Sequence, residues 1–315
     1  MIRRNDMSVS GPTMLAMSAG GDRGAVLVGM LHGLYLSKGK ERVDWHLIAG
    51  ISAGAIVGGL VSQTLPETFD QCMEHAKDLF ELGGFHVVEP HTSLGFYVNA
   101  LDALWYHKSM YNNTPMVKLV EENFNESLCF TPLKVGAYNK DLCEYETFSD
   151  NLQEAIVASA TVPIVFPAAK IGNHHYFDGG MRHIIPVKEI FEFIKENERC
   201  TVDVMICYPI NCYELFFKAT TPEGFLPLIE ESIRVMTDQM LSTLSNDLRR
   251  IADFLEIEYE ELRQKPCNTF HKGTVTINIF SPDDATYTNF TNIKPEEMRN
   301  MYNGGKRIVM EFLQK

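Results

Sequence analysis

The chain has 315 residues, 45% apolar and 22% charged, the proportions of a globular protein and not of a disordered one. Its formal net charge of -13 at pH 7 argues against nucleic acid as a partner, because that binding is driven by phosphate neutralisation, and against broad adhesion to anionic membranes. Seven cysteines, an odd number without a C-x-x-C pair, point to neither a zinc site nor a disulfide framework. No apolar run is long enough for a membrane span or a signal peptide, so the expectation is a soluble, cytoplasmic protein that meets membranes only peripherally.

In chain order, "TMLAMS" (13–18) is a short apolar run ending in glycines and reads as a buried strand. A helix follows from Gly24, with Val26, Leu27, Met30, Leu31, Leu34 and Tyr35 at helical spacing and Gly39 as its stop. "HLIAGI" (46–51) is a second buried strand, and "AGAIVGGLVS" (53–62) a helix of small residues packed closely on a sheet. Strand, helix, strand, helix in about sixty residues is the pattern of a parallel α/β sheet. Residues 132–150 read as two strands joined through Asn139, Lys140 and Asp141, and 151–160 as a helix stopped near Pro163. An amphipathic helix (187–198) and a buried strand (202–209) come next. Residues 227–263 are helical, 273–282 is a strand, and 295–315 closes with helix. With no repeat, low-complexity tract or linker, one domain is expected over 1–315. Its motif-bearing core spans about 10–210, and its helical C-terminal portion, 211–315, carries one further strand.

Three stretches carry chemistry. Gly50-Ile51-Ser52-Ala53-Gly54 is a G-x-S-x-G element, and its expected context, strand before and helix after, is the one a nucleophile elbow requires. Flanking glycines let the backbone turn sharply and leave the serine oxygen exposed. The second stretch, Ser18 to Ala25, lies where the first strand gives way to the first helix, the place where ligands bind in such sheets. Gly20 and Gly21 can aim amide hydrogens at one point, Arg23 adds positive potential, and Asp22 with Arg23 can fix the loop. The stretch lacks both nucleotide-binding glycine patterns. The third is Asp178-Gly179-Gly180 after a short aromatic strand, where Asp178 is either a plain turn residue or a base for Ser52.

These stretches resemble, in order and spacing, the motifs of the patatin-like phospholipases: the glycine-rich loop D-G-G-G-x-R-G, then G-x-S-x-G, then D-G-[GA]. A fourth element, "ASATVPIVFP" (158–167), is similar to the family's A-S-x-A-x-P-x-x-F-P. Ser18 stands where the family has its first aspartate, and Ala19 where it has a glycine; the latter matters only if that position needs positive φ. The resemblance implies a three-layer α/β fold with a mainly parallel central sheet. It implies a lipid acyl hydrolase of phospholipase A or lysophospholipase type, with Ser52 as nucleophile, Asp178 as base and no histidine. Gly20 and Gly21 would form the oxyanion hole, supported by Arg23, Gly50, Gly54 and Gly179. No cofactor and no metal is implied, the partner is a lipid at a membrane or micelle surface, and the need for a protein activator stays open.

Rivals remain at this point. Ser52, Asp178 and His271 follow the chain order of an α/β-hydrolase triad, and His183, His174 and His175 lie closer to Asp178. Asp283 and Asp284 follow a strand and could replace Asp178 as base. The aromatic stretches 85–107 and 208–228 could line an acyl pocket or pack a core, and the methionines of 233–244 fit a core. A non-catalytic lipid-binding or scaffold protein on the same fold, and a phosphate-binding protein using the glycine loop, are the readings from other classes.

Overall fold

A computed structural model describes residues 11–86, 89–90, 109, 111–210, 227–283 and 295–314. It begins with β1 (Thr13–Met17), α1 (Gly24–Lys38), β2 (Leu47–Ile51) and α2 (Ala53–Ser62), and Gly39, at φ 78°, ends α1 as expected. Next comes α3 (Phe69–His86), which the sequence analysis leaves unassigned although Phe69, Met73 and Ala76 bury one helical face. The two-residue strands β3 (Glu89–Pro90) and β4 (Tyr111–Asn112) pair with each other, and α4 (Thr114–Asn123) follows them. Then come β5 (Leu133–Asn139), β6 (Glu144–Phe148), α5 (Leu152–Ser159), β7 (Ala169–Ile171), β8 (His174–Asp178), α6 (Val187–Glu196) and β9 (Cys200–Met205). The remainder is α7 (Pro227–Leu255), the short α8 (Tyr259–Leu262), β10 (Cys267–Lys272), β11 (Val275–Phe280) and α9 (Pro295–Leu313).

One strand was expected after residue 211, and two are present among the described residues. β10 and β11 form a hairpin turned at Gly273, whose φ is 58°. The mixed polar sequence of β10, "CNTFHK", hides it, because it sits at the sheet edge and buries only Cys267 and Phe270.

Nine strands form the main sheet, in the order β10-β11-β9-β1-β2-β5-β8-β7, with β6 also on β5. The five central strands from β11 to β5 run parallel, while β10, β6 and β8 run against them. Met14 and Ala16 point to one face of β1, Leu15 and Met17 to the other, and all four are fully buried. Helices therefore cover both faces, which makes three layers and explains why the central strands read as continuous apolar runs.

The pairing around β5 decides where the chemistry sits. On one edge, β2 pairs with β5 as far as Ile51 opposite Gly136. Along Val135 to Asn139 the other edge is filled by β6. β8 pairs with Ala137 to Asn139, so it must occupy the same edge as β2, running toward it. Ile51 and Asp178 are thus opposite consecutive residues of β5. Two strands far apart in sequence meet end to end, with Ser52 just beyond one and Asp178 closing the other.

Candidate active site

Ser52 leaves β2 with φ 54° and ψ −119°, outside the regions open to ordinary L-residues, and α2 starts at the next residue. The turn is tight enough that a Cβ on Gly50 would stand 2.2 Å from Gly54 O, and one on Gly54 would stand 2.4 Å from Met17 O. Glycine at both positions is a demand of space. The Ser52 amide donates to Ser159 Oγ at 2.8 Å, and that hydroxyl donates to Gly136 O at 2.6 Å. Ser159, buried at the end of α5, thereby ties the elbow to β5. Ser159 lies within the motif 158–167, but nothing local in the sequence signals this bridge.

Asp178 is 1% exposed. Its amide donates to Thr161 O at 2.8 Å, and its Oδ1 accepts from the Gly180 amide at 2.7 Å. Burial pushes its pKa up to about 7, while the Ser52 side chain and the Gly180 amide pull it down. Oδ2 is buried and has no partner in hydrogen-bond geometry among the described residues. The Ser52 side chain is near enough to the carboxylate to lower its pKa, so the serine and Asp178 adjoin.

The glycine-rich loop reaches the same place. The Ser18 amide donates to Met205 O, its hydroxyl accepts from the Cys207 amide at 2.9 Å, and the Ala19 amide donates to Ile184 O. A Cβ on Gly20 would lie 2.2 Å from Cys207 Sγ, and Gly21 has φ 54°, so both glycines are required. Among the described residues, no protein group accepts from the Gly20 or Gly21 amides. Ala19 lies outside the positive-φ set, so its methyl carries no left-handed strain. Arg23 is buried with its guanidinium 5.1 Å from the centre of the Tyr208 ring. Burial raises the Asp22 pKa to about 6 against the pull of Arg23. A Cβ on Gly180 would meet Ala19 Cβ at 3.3 Å, and one on Gly179 would meet Gly136 O at 2.4 Å and Ile51 Cγ2 at 2.9 Å. The three stretches converge on one point.

The rivals lie elsewhere. His271 sits on β10, four strands from β2, about 19 Å at the usual strand spacing, and bonds Thr276. His183 pairs with Asp247 at 2.8 Å, and Asp247 Oδ2 also accepts the Ile184 and Ile185 amides, which anchors the backbone that receives Ala19. His174 and His175 are half-buried beside Asp141. Asp283 faces Arg307 at 3.7 Å beyond β11, three strands from β2. Asp284 and most of 85–107 and 208–228 lie outside the described residues. Met240 is buried, as a core residue would be. Among the described residues, no group of three His, Cys, Asp or Glu could hold a metal, and no helix is long and apolar enough to cross a membrane.

A family model described as patatin-like phospholipase matches residues 15–191, more than half of the chain. Comparison with curated proteins gives no match. Similar solved structures include VipD from Legionella pneumophila, at 12% identity and TM-score 0.41, covering 98% of this chain and 67% of that one. Human GIVD cytosolic phospholipase A2 is similar at 9% identity and TM-score 0.49, over 97% of this chain and 60% of that one. The type III effector protein ExoU is similar at 12% identity and TM-score 0.36, over 97% and 53%. The chain therefore spans about half to two thirds of these proteins. Their TM-scores are low, and family membership rests on the match over 15–191.

Proposed function

The chain belongs to the patatin-like phospholipase family, a family of lipid acyl hydrolases, and we propose that it cleaves fatty-acyl esters of lipids through Ser52 and Asp178. The observation that carries this reading is the strained Ser52 corner facing Asp178 along one edge of β5. The substrate class is a phospholipid or lysophospholipid presented at a membrane or micelle surface to a soluble, cytoplasmic enzyme.

Asp178 takes the hydroxyl proton as Ser52 Oγ attacks the ester carbonyl. A carboxylate is a weak base for an alcohol, and burial that lifts its pKa to about 7 brings it near the pH at which it must work. Gly20 and Gly21 amides hold the oxyanion, each donor of this kind contributing about 2.7–4 kcal/mol. Collapse of the tetrahedral intermediate expels the alcohol, which takes its proton from Asp178, and leaves an acyl-enzyme. Water, deprotonated by Asp178, then attacks the acyl carbonyl and releases the fatty acid and the serine hydroxyl.

The test is labelling with a fluorophosphonate, with the modified peptide mapped by mass spectrometry. Wild type should label at Ser52, Ser52→Ala not at all, and Asp178→Asn about 10²-fold more slowly or worse. Labelling of folded Asp178→Asn at the wild-type rate would remove the base from the reading. A folded wild type that fails to label at Ser52 in the presence of lipid vesicles would favour the non-catalytic alternative.

A further inference from the structure

The segment that leaves Asp178 is held by a residue far along the chain. After the 3-10 turn Gly179–Met181, the Arg182 and His183 amides return to Gly179 O at 2.9 and 3.0 Å, and Ile184 and Ile185, both fully buried, run on toward α6. Asp247 of α7 meets this segment with both carboxylate oxygens. Its Oδ1 accepts from His183 Nδ1 at 2.8 Å, and its Oδ2 accepts from the Ile184 and Ile185 amides at 2.7 and 3.0 Å. The residue is 1% exposed, and a buried carboxylate is tolerated only where hydrogen bonds replace its water, as these three do. The Tyr145 ring stands edge-on to His183 with centroids 4.9 Å apart, which walls in the imidazole that holds Oδ1.

Ile184 is the junction. Asp247 takes its amide, and its carbonyl accepts from the Ala19 amide at 2.9 Å, so one residue links α7 to the glycine-rich loop just before Gly20. On its other side the loop is tied through Ser18, to Met205 O and the Cys207 amide. These two anchors, the end of β9 and Asp247 acting through Ile184, set the direction in which the Gly20 and Gly21 amides point. The same helix presses on the turn after Asp178, since a Cβ on Gly180 would stand 2.6 Å from Met240 Cε. Asp247 lies outside all four motifs of the sequence.

We propose that Asp247 is a positioning residue for the oxyanion hole: with His183 it fixes Ile184, and Ile184 fixes Ala19, so that the Gly20 and Gly21 amides converge on the ester oxygen. The assignment rests on Ser52 as the nucleophile and on those amides as the oxyanion donors. It acts through backbone alone, so removing the carboxylate leaves the dyad in place and spoils the aim of the donors. Loss of a whole donor of this kind costs about 10²–10³ in kcat. A donor present but misaimed should cost less, about tenfold or more, and should spare KM because the oxyanion forms only in the transition state.

The experiment measures kcat and KM for p-nitrophenyl butyrate, with kcat divided by the number of serines that have reacted with a fluorophosphonate at completion. That division removes unfolded molecules from the count, so a loss of stability alone does not register. Asp247→Ala should lose about tenfold or more in kcat per reactive serine, with KM within about twofold of wild type. Asp247→Asn keeps an oxygen for the two amides and an NH₂ for His183, and should stay within about threefold of wild type. Wild-type kcat per reactive serine in Asp247→Ala, a loss confined to KM, or an equal fall in both variants would overturn the positioning role alone, provided Ser52→Ala is inactive. Should Asp247→Ala fail to fold, His183→Ala decides in its place. It frees only Oδ1 and should lower kcat per reactive serine by about threefold or more at constant KM, and an unchanged kcat would overturn the role. Turnover surviving in Ser52→Ala, or absent in wild type, would overturn the dyad and the positioning role with it.

Discussion

Asp178 ends β8 with its carboxylate out of water, and that loss of solvent lifts its pKa from 3.8 to about 7 in spite of the Ser52 side chain and the Gly180 amide. Two pH dependences follow from this one group. As a base it must be ionised, so kcat/KM should climb tenfold per pH unit below about 7 and level off above it. Stability runs the other way. The folded pKa is raised, so the fold favours the protonated carboxyl, and that contribution is complete below 3.8 and lost as pH rises through about 7. At about 1.4 kcal/mol per pKa unit, ionisation costs the folded state several kcal/mol. Asp178→Asn should therefore melt above wild type at pH 8, with the gap closing toward pH 4. A gap that is constant with pH, measured by thermal denaturation, would assign the raised pKa to some other group. The residue's place at the end of a strand before two glycines was legible in sequence. Its titration was not, because burial depends on elements far away in the chain.

At the scale of elements, α5 does more than fill space. Its last residue, Ser159, accepts the Ser52 amide and donates to Gly136 O, so one hydroxyl joins α2, β5 and α5 at the point where β2 and β8 meet. Ser159→Ala leaves a buried donor and a buried acceptor unpaired, at about 1–3 kcal/mol for such a group. It also frees the strained corner to relax away from φ 54°. The expected result is a lower melting temperature and, at temperatures where the variant is fully folded, a kcat reduced by about tenfold or more with KM nearly unchanged, since the transition state needs the serine's exact aim. A fall in melting temperature with wild-type kcat would make Ser159 a structural residue only. The first two strand–helix pairs were legible because apolar runs and helical spacing are local signals. α3 carries the same kind of signal in Phe69, Met73 and Ala76, at helical spacing. β10 and the bridge through Ser159 carried none that is local, since an edge strand alternates weakly and a hydroxyl's partners are chosen by tertiary packing.

Across the whole molecule, the helix following the sheet's last strand returns to the helix that starts at the glycine-rich loop. α9 lies against α1 so closely that a Cβ on Gly29 would stand 2.0 Å from Tyr302 O, and one on Gly305 would stand 2.4 Å from Val26 O. His32 on α1 bridges the Tyr302 hydroxyl on α9 and Asp70 on α3, a polar lock within the packed seam. Small residues in both helices were visible in sequence, but their facing each other was not, since nothing local pairs positions some 270 residues apart. The seam supports α1, and through it the loop bearing Gly20 and Gly21, while the serine–aspartate pair is held separately by β2, β5, β8 and α5. Gly305→Val forces the two backbones apart, and overpacking of this kind costs about 1–3 kcal/mol. The variant should unfold at lower temperature and lose oxyanion stabilisation, seen as a lower kcat. The inflection of its pH profile should stay near 7, because nothing around Asp178 has moved. An inflection displaced by more than about half a unit would mean that the seam and the dyad are coupled through the sheet, and the two halves of the site would then have to be treated as one unit.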